Sequence, residues 1–379
     1  MRKVELSYDF TPRRAGGWIR NPLMDLLHAV QERGSISRAA QALGLSYRHT
    51  WGELKRWEAE LGQPLIHWEK GQRARLTAFG EKLLWAERQA QARLAPQIEA
   101  LHADLERAFA VAFDDTAQVL TLYASHDDAL ALLRDHAAAS ARLHLDIRFT
   151  GSVDAIAALN EGRCAMAGFH TPPQPAPGSA FERAYHPLLQ PGLHKIIGFA
   201  RRRQGLVVAA GNPLRLSSFA DLARGARFVN RALGTGTRLL AEELLGQAAL
   251  APAALQGWDR IETSHAAVAQ AVASGSADAG LAIEAAARAR GLDFVPLLDE
   301  DYYLVCLKSL LEQQPVQVLR QVLAGTAWQD LLRTLPGYQP LRSGEVLSLS
   351  AQLPWWRYAR AKRKSLTEPR KRKSVPDPN

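Results

Sequence analysis

The apolar positions of residues 22–62 recur every three or four residues and predict three short helices. Pro22 opens the first helix, since proline at the first helical position gives up an N–H that has no partner within the helix. Ser35 and Ser46 can each cap a following helix, and Gly44 suits the tight turn between them. Two helices joined in this way predict a helix-turn-helix, whose second helix can enter the major groove of DNA.

The polar side of the second helix is basic and aromatic, whereas an ordinary pair of core helices, the alternative, needs no such surface. A strand, a turn at Glu69–Gln72 and a second strand follow, and this pattern is typical of the hairpin wing of a winged helix. Basic residues at the tip of a wing meet DNA phosphates, which supplies affinity and register without reading sequence. The residues predicted to bind DNA are Ser35, Ser46, Tyr47, Arg48, Trp51, Lys55, Lys70, Arg73 and Arg75.

A long helix is predicted next, from about Ala78 to Phe109, with Thr77 as its cap and a broken apolar stripe along one side. Pro96 should kink or interrupt this helix. Because the helix has no core of its own to lie on, we expect it to pair with a second copy of the chain. The expected assembly is a homo-oligomer, a dimer or a tetramer, bound to double-stranded operator DNA.

Short apolar strands alternate with alanine-rich helices from Val119 onward, which predicts an α/β domain with a mostly parallel, doubly wound sheet. Residues 195–200 and 206–211 are predicted as separate strands, and so are residues 294–297 and a last strand that begins at Tyr302. The last strand is expected to return to the first set of strands. The result is a bilobal layout like that of periplasmic binding proteins.

The turns between strands and helices carry the candidate ligand-binding residues. In open α/β sheets, ligands bind at the carboxyl ends of strands, where helix N-termini offer free N–H groups. Hydroxyl residues and glycines recur at these turns, and two arginines flank a Gly-Thr-Gly-Thr turn, which suits a small oxyanion, a phosphate-bearing ligand or a carboxylate. A single serine or threonine needs no more than a capping role, so the prediction depends on the set. The set comprises Ser125, His126, Asp127, Gly151, Ser152, His170, Asn230, Arg231, Gly234, Thr235, Gly236, Thr237, Arg238, Ser264 and His265.

Other chemistries fit these turns less well. The Gly-Thr-Gly-Thr turn lacks the Gly-Lys-Ser/Thr of a P-loop, and Leu239 stands where a GxGxxG fingerprint has its third glycine. His126, His170 and His265 could hold zinc or act as a base, but no HxxxH or HExxH spacing supports a metal site. We therefore predict no enzyme, no bound metal and no required cofactor.

Composition narrows the picture further. Hydrophobic residues make up 47% of the chain and charged residues 22%, and no apolar run approaches the roughly 20 residues of a membrane helix. The N-terminus has no apolar segment typical of a secretory signal, and Cys164 and Cys306 lie outside any CxxC or metal-ligand pattern. We expect a cytoplasmic protein. Of the formal net charge of +9, residues 357–379 carry nine Lys and Arg against two Asp and Glu, so bulk charge says little about the body of the chain.

Several motifs within residues 21–85 match a known group of regulators. They are Gly34-Ser35-Ile36, Ala39-Ala40, Leu43-Gly44-Leu45-Ser46-Tyr47, Trp51, and Arg75-Leu76-Thr77 before Gly80. On these motifs the segment resembles the winged-helix domains of LysR-type and molybdate-responsive, ModE-type regulators. The run Ser46–Trp51 is more similar to the molybdate-responsive version.

The second half carries a resemblance of its own over about residues 119–335. Its motifs are Ser125-His126-Asp127, Gly151-Ser152, Gly168-Phe169-His170, Asn230-Arg231, Gly234–Arg238 and Ala277–Ala286. On these motifs it resembles the periplasmic-binding-like domain attached to such regulators, which is related to molybdate-binding proteins. The resemblance implies a sensor of a small anion, with molybdate, tungstate or a molybdenum-cofactor-type compound as the effector. The paired oxyanion-binding domains of typical molybdate regulators are absent.

These observations predict a one-component transcriptional regulator that responds to a ligand. The fold is α/β overall: a winged helix-turn-helix at residues 1–80, a linker and dimerisation helix at 81–114, a bilobal type II binding-protein-like domain at 115–340, and an aromatic segment with a disordered basic tail at 341–379. Two alternatives stay open. One is an enzyme on the bilobal fold with a DNA-binding appendage, and the other is a constitutive architectural DNA-binding protein.

Overall fold

The computed structural model describes residues 21–69, 72–114 and 116–356. Residues 1–20, the wing-tip residue Lys70 and the basic tail lie outside the described residues. The first unit follows the predicted order of helices and hairpin strands. Its elements are α1 (Pro22–Arg33), α2 (Ile36–Ala42), α3 (Tyr47–Leu61), β1 (Ile66–His67) and β2 (Arg75–Leu76).

The caps and turns of this unit are those that the sequence predicts. The Ser35 hydroxyl accepts a hydrogen bond from the N–H of Arg38, and the Ser46 hydroxyl accepts one from the N–H of His49. Gly44 has a φ of 67°, the left-handed conformation that a tight turn between helices needs. Leu54 of α3 is fully buried in the small core of the unit, packed with residues of α1, α2 and the hairpin.

The next helix, α4 (Ala78–Phe113), is 36 residues long. The Thr77 hydroxyl fixes its start, because it donates to the carbonyl of Pro64 at 2.7 Å and accepts from the N–H of Gly80 at 3.0 Å. Of the two effects predicted at Pro96, a kink or an interruption, the interruption is wrong, since the helix continues through this residue. Among the described helices, none has the length and apolar character that a membrane span requires.

The rest of the described chain forms one ten-stranded sheet flanked by helices. Its strands are β3 (Gln118–Ala124), β4 (Leu143–Phe149), β5 (Met166–Thr171), β6 (His194–Val208), β7 (Phe228–Arg231), β8 (Ile261–Glu262), β9 (Ala279–Ile283), β10 (Asp293–Leu307), β11 (Tyr338–Pro340) and β12 (Val346–Leu347). The order is β4-β3-β5-β10-β6-β9-β7-β8, and β11 and β12 pair with β6.

Helices cover both faces of this sheet, and each face has its own apolar core. The helices are α5 (Asp128–Ala141), α6 (Ser152–Asn160), α7 (Ala180–Tyr185), α8 (Gly236–Gln247), α9 (His265–Ala273), α10 (Glu284–Arg288), α11 (Gln314–Ala324), α12 (Thr326–Arg333) and α13 (Leu349–Gln352), with short 3₁₀ helices at Phe219–Arg224, Pro252–Ala254 and Lys308–Leu310. The predicted fold class, a winged helix-turn-helix followed by a bilobal α/β domain, is confirmed.

Two strands run through both lobes, and here the sequence prediction is wrong in detail. Residues predicted as four separate strands form two continuous ones, β6 and β10, each 15 residues long. They pair with each other antiparallel along their length, whereas β3–β4, β3–β5, β7–β8 and β7–β9 are parallel pairs. The strands therefore join the two lobes without a loop between them, through a backbone ladder with register shifts at Pro296/Leu298 and Tyr302/Tyr303.

The register of β6 and β10 brings together the carboxyl ends of β5 in the first lobe and β9 in the second. Thr171, the last residue of β5, pairs with Asp301, and Ile283, the last residue of β9, pairs with Gln204. Between these points, Glu300 pairs with Arg202. The parallel strands of the two lobes thus end at the middle of the crossing strands, from opposite sides.

Arg202 is buried at this crossing and is held by two carboxylates. Its Nε donates to Glu300 Oε2 at 2.9 Å, and its Nη1 donates to Asp127 Oδ2. Tyr338 also donates to Asp127 Oδ2, at 2.8 Å. Burying a guanidinium is costly unless it is paired and hydrogen-bonded, and Arg202 meets both conditions.

Asp127→Asn tests the contribution of this buried pair. The amide can still cap α5 but removes one of the two negative charges that face Arg202, so the free energy of unfolding should fall by about 3 kcal/mol. Urea denaturation measures the change. The matched control is Glu345→Gln, which removes the charge opposite Arg342 in an exposed pair and should cost at most about 1 kcal/mol. Equal losses in the two variants would contradict a stabilising role for the buried pair.

Candidate ligand cleft and nucleic-acid interface

The turns at the carboxyl ends of the strands meet across a closed cleft between the lobes. A Cβ placed on Gly151, which follows β4, would lie 2.9 Å from the backbone carbonyl of Gly234, which follows β7. The N–H of Val153 donates to that same carbonyl at 3.1 Å. Gly234 also has a φ of 79°. Only glycine at both positions allows the backbones of the two lobes to touch in this way.

Arg231, at the end of β7, is the residue of the cleft that most strongly indicates an anion site. Its side chain is 2% exposed, yet its Nε and Nη1 have no hydrogen-bond partner. Burial, with the nearby charge of Arg202 second, lowers the pKa of the Arg231 guanidinium to about 9. The group is still charged at neutral pH, and a buried charge without a partner is costly. An anion in the cleft would remove that cost.

Two histidines face the same space. The ring of His170, on β5, packs at a tilt against the ring of Tyr302 with 3.8 Å between the ring centroids, and His265 begins α9. Burial lowers the pKa of both histidines well below the usual value, and the positive charges of Arg202 and Arg231 add to the shift. Both rings are therefore neutral at pH 7. His170 Nε2 and His265 Nδ1 have no hydrogen-bond partner.

Further polar groups without partners surround these residues. The hydroxyl of Ser125 and the hydroxyl of Tyr302 are both buried and unpaired. Tyr302 reaches the strand ends from the crossing strand β10, since its hydroxyl would lie 2.8 Å from a Cβ on Gly168. Ser152, at the start of α6, is fully buried beside Tyr185, whose hydroxyl donates to the carbonyl of His170. Buried polar groups in proteins are nearly always paired, so a cluster without partners indicates a ligand site.

Several other predicted ligand residues are engaged within the protein. Both oxygens of Asp127 are used, by Arg202, Tyr338 and the N–H of Ala129. The remaining residues act as caps or packing partners. The Asn230 amide binds the carbonyl of Trp258 and the N–H of Arg231, Thr235 caps α8, Gly236 lies against His170, Thr237 accepts from Gln204, and Arg238 pairs with Glu242 over the ring of Trp258.

His126 and Ser264 connect the cleft to the long helix α4. His126 Nε2 lies 3.0 Å from Glu99 Oε2 of α4, and the Ser264 hydroxyl donates to the carbonyl of Ala92 at 3.2 Å. In the second lobe, buried Glu262 accepts from Arg93 at 2.7 and 2.9 Å. Because Ser125 precedes His126 and His265 follows Ser264, α4 contacts the neighbours of cleft residues in both lobes.

The sequence did not single out Arg202, Gln204, Glu300, Tyr302 or the contacts of α4. These residues lie inside strands or on a helix, away from the turns on which the prediction depends. Their sequence signal is a run of polar residues inside a predicted strand region, residues 201–204 in β6 and residues 299–301 in β10. Among the described residues, no group of three or more His, Cys, Asp and Glu side chains is arranged to hold a metal ion.

The predicted DNA-binding residues of α3 share one surface, on which Trp51 is partly buried and the others are exposed. Tyr47 is 45% exposed and stacks on Trp51 with 6.4 Å between the ring centroids. Lys55 Nζ lies over the ring of Trp51, 4.9 Å from its centroid, and pairs with Glu58 at 2.7 Å. Arg48 is exposed beside them. Ser35 and Ser46 act as helix caps at the edge of this surface.

The hairpin continues the surface. Trp68, which the sequence prediction missed, is 44% exposed and meets Trp51 edge-on at 5.3 Å. Arg73 and Arg75 are exposed on the second half of the hairpin, and the side chain of Arg73 runs over Gly34. The resulting surface combines aromatic rings with cationic side chains, which suits contact with bases and phosphates.

Comparison with known proteins gives matches for both halves of the chain. Residues 23–81 match the family model of the bacterial regulatory helix-turn-helix protein, lysR family. The chain is 32% identical over 202 residues to the uncharacterized protein YvgK of Bacillus subtilis, a match that covers 53% of this chain and 64% of that protein. It is 29% identical over 111 residues to an uncharacterized protein of Clostridium pasteurianum from the ferredoxin 2Fe-2S gene 5′ region, which covers 29% of this chain and 98% of that protein.

Among solved structures, a Corynebacterium glutamicum OxyR C206 mutant matches with a TM-score of 0.42 and 17% identity over 82% of this chain and 94% of that one. The PBP superfamily domain model matches residues 134–324, half of the chain. The chain therefore belongs to the PBP superfamily, and it joins a domain of that superfamily to a helix-turn-helix domain of the LysR family.

Proposed function

We propose that this protein is a ligand-responsive, DNA-binding transcriptional regulator that senses a small anion. The observation that carries the proposal is the buried, charged and unpaired guanidinium of Arg231 in a closed cleft. An anion supplies the missing partner and is surrounded by the hydroxyl groups of Ser125 and Tyr302. Molybdate, tungstate and a molybdenum-cofactor-type compound are the effectors that the sequence resemblance offers.

The contacts of α4 support a route from the cleft to the DNA-binding unit. Glu99 contacts the first lobe through His126, and Arg93 contacts the second lobe through Glu262. If the separation of the lobes changes, α4 has to shift relative to at least one of them, because both contacts are on the same helix. The N-terminal end of α4 packs on the winged helix, where Leu84 is part of its core. A ligand that favours the closed lobes would thus favour one placement of the winged helix.

The same helix supports assembly of two copies. Leu94, Leu101 and Phe113 of α4 are exposed apolar side chains, with Leu101 54% and Phe113 86% exposed. A second copy of α4 would cover them. A dimer would place two recognition helices on half-sites about one turn of DNA apart.

Arg48→Ala tests the DNA-binding surface. An exposed arginine on the recognition helix contacts bases or phosphates, so its loss should weaken binding about tenfold or more. The measurement is fluorescence anisotropy with a DNA duplex that the full chain has selected from a random-sequence pool. Arg224→Ala, at an exposed arginine of the second domain, is the control and should bind as the wild type does. Equal affinity of Arg48→Ala and the control would exclude Arg48 from the interface.

Arg231→Leu tests the anion site. Without the buried charge, the ligand-free protein should melt at the same or a higher temperature, because an unpaired cation no longer has to be buried. The rise in melting temperature that an anion gives the wild type should disappear. A thermal shift series with molybdate, tungstate, sulfate, phosphate and small carboxylates measures both effects. Arg288→Leu, at a half-exposed arginine, should keep the anion response. A full response in Arg231→Leu would overturn the proposed site.

The neutral histidines predict a pH dependence of stability. Because folding holds the pKa of His170 and His265 well below 6.5, the unfolded chain takes up protons first as the pH falls. The free energy of unfolding of the ligand-free protein should therefore decrease below about pH 6.5, with up to about 1.4 kcal/mol per pH unit from each histidine. His265→Asn should reduce this slope in urea titrations, whereas His67→Asn, at an exposed histidine, should not. An unchanged slope in His265→Asn would contradict the assignment.

A further inference from the structure

The cleft contains unpaired acceptors as well as unpaired donors. Arg202 Nε and Nη2 both bind Glu300 Oε2, at 2.9 and 2.8 Å, and Gln204 Nε2 donates to that same oxygen at 3.0 Å. The other carboxylate oxygen, Glu300 Oε1, has no hydrogen-bond partner, and neither has Gln204 Oε1. Both side chains are fully buried.

Glu300 Oε1 belongs to the same space as the donors of the anion site. A Cβ on Gly236, at the start of α8, would lie 3.6 Å from Glu300 Oε1 and 3.0 Å from His170 Cβ. The negative charge of Glu300 also acts on Arg231, whose own unpaired nitrogens make no hydrogen bond with it. The two side chains have opposite charges and do not form a hydrogen bond with each other. Here each keeps an unused hydrogen-bonding position.

The geometry points to an effector that is an anion and also donates a hydrogen bond, with Glu300 Oε1 and Gln204 Oε1 as its acceptors. Its anionic oxygens accept from Arg231, Ser125 and Tyr302, and an O–H or N–H on the same molecule donates to Glu300. This inference rests on the proposed function, because it concerns the same cleft. It goes further by excluding ions that only accept hydrogen bonds.

The physical reason is the cost of placing two acceptors against each other. A fully ionised oxyanion such as sulfate, molybdate or tungstate would bring an oxygen lone pair to a buried carboxylate oxygen and leave both unpaired. A site built to pair with a donor rejects an analogue that lacks it much more strongly than a site that differs only in size. Two sources supply the required chemistry: an oxyanion that retains a proton, and an anionic heterocycle with an N–H group.

Two matched pairs of probes separate these sources. At pH 8, hydrogen phosphate and sulfate have the same charge and shape and differ by one O–H group. Carboxypterin and naphthoate are both aromatic carboxylates and differ by the N–H groups of the pterin. Isothermal titration of the full-length wild-type protein with each probe should show at least tenfold tighter binding of the donor-bearing member of one pair.

Glu300→Gln tests whether Glu300 causes the tighter binding of the donor-bearing probe. Its amide oxygen can still accept from Arg202, and its N–H would face the ligand in place of an acceptor. The preference should fall to less than twofold or change to the acceptor-only member. If this variant does not fold, the ratio measured with the wild type still decides.

Each outcome has a definite meaning. Equal or tighter binding of sulfate and naphthoate by the wild type overturns the inference, and so does binding of molybdate or tungstate alone. An unchanged preference in Glu300→Gln also overturns it, and in all three cases the anion site itself stands if Arg231→Leu abolishes binding. If no anion binds the wild type, the proposed function falls together with this inference.

Discussion

The buried ion pair at the crossing of β6 and β10 is the constraint on which the cleft depends. Arg202 is the cation, and Asp127 and Glu300 are the anions that hold it. Asp127 also caps α5, and Glu300 also binds Gln204, which reaches Thr237 in the second lobe. Burying three charges is tolerable only because each is paired. The pair fixes the turns of both lobes relative to the crossing strands.

Among the described residues of the cleft, this arrangement leaves Arg231 as a buried charge whose Nε and Nη1 have no partner. With Arg202, Asp127 and Glu300 engaged with one another, the local charges nearly balance, and yet the donors of Arg231 and one oxygen of Glu300 are unused. A core that served only for stability would gain by closing this gap with a direct contact or an apolar side chain. The unpaired positions of Arg231 and Glu300 carry no such cost when a ligand pairs with them. Because α4 contacts both lobes, a ligand that changes the cleft would also change the placement of α4.

Local patterns in the sequence were enough to predict the winged helix and most of the turns that line the cleft. Ser35, Ser46 and Thr77 cap helices whose spacing is visible along a few residues, and the turns follow from where strands end. The continuous strands β6 and β10 and their contacts could not be predicted from such local patterns. Glu300 binds Arg202 from 98 positions away, and only the register of the sheet brings them together. Asp127 was assigned to the ligand for the same reason, since its partner Arg202 could not be identified from sequence.

We propose that the state of the cleft reaches the DNA-binding unit through α4. Hydrogen–deuterium exchange of the full chain, with and without an anion that stabilises it, tests this claim most directly. We predict slower exchange after ligand addition at residues 89–99 of α4 as well as at the turns around Ser125 and Ser264. Slower exchange confined to the turns, with residues 89–99 unchanged, would contradict the claim.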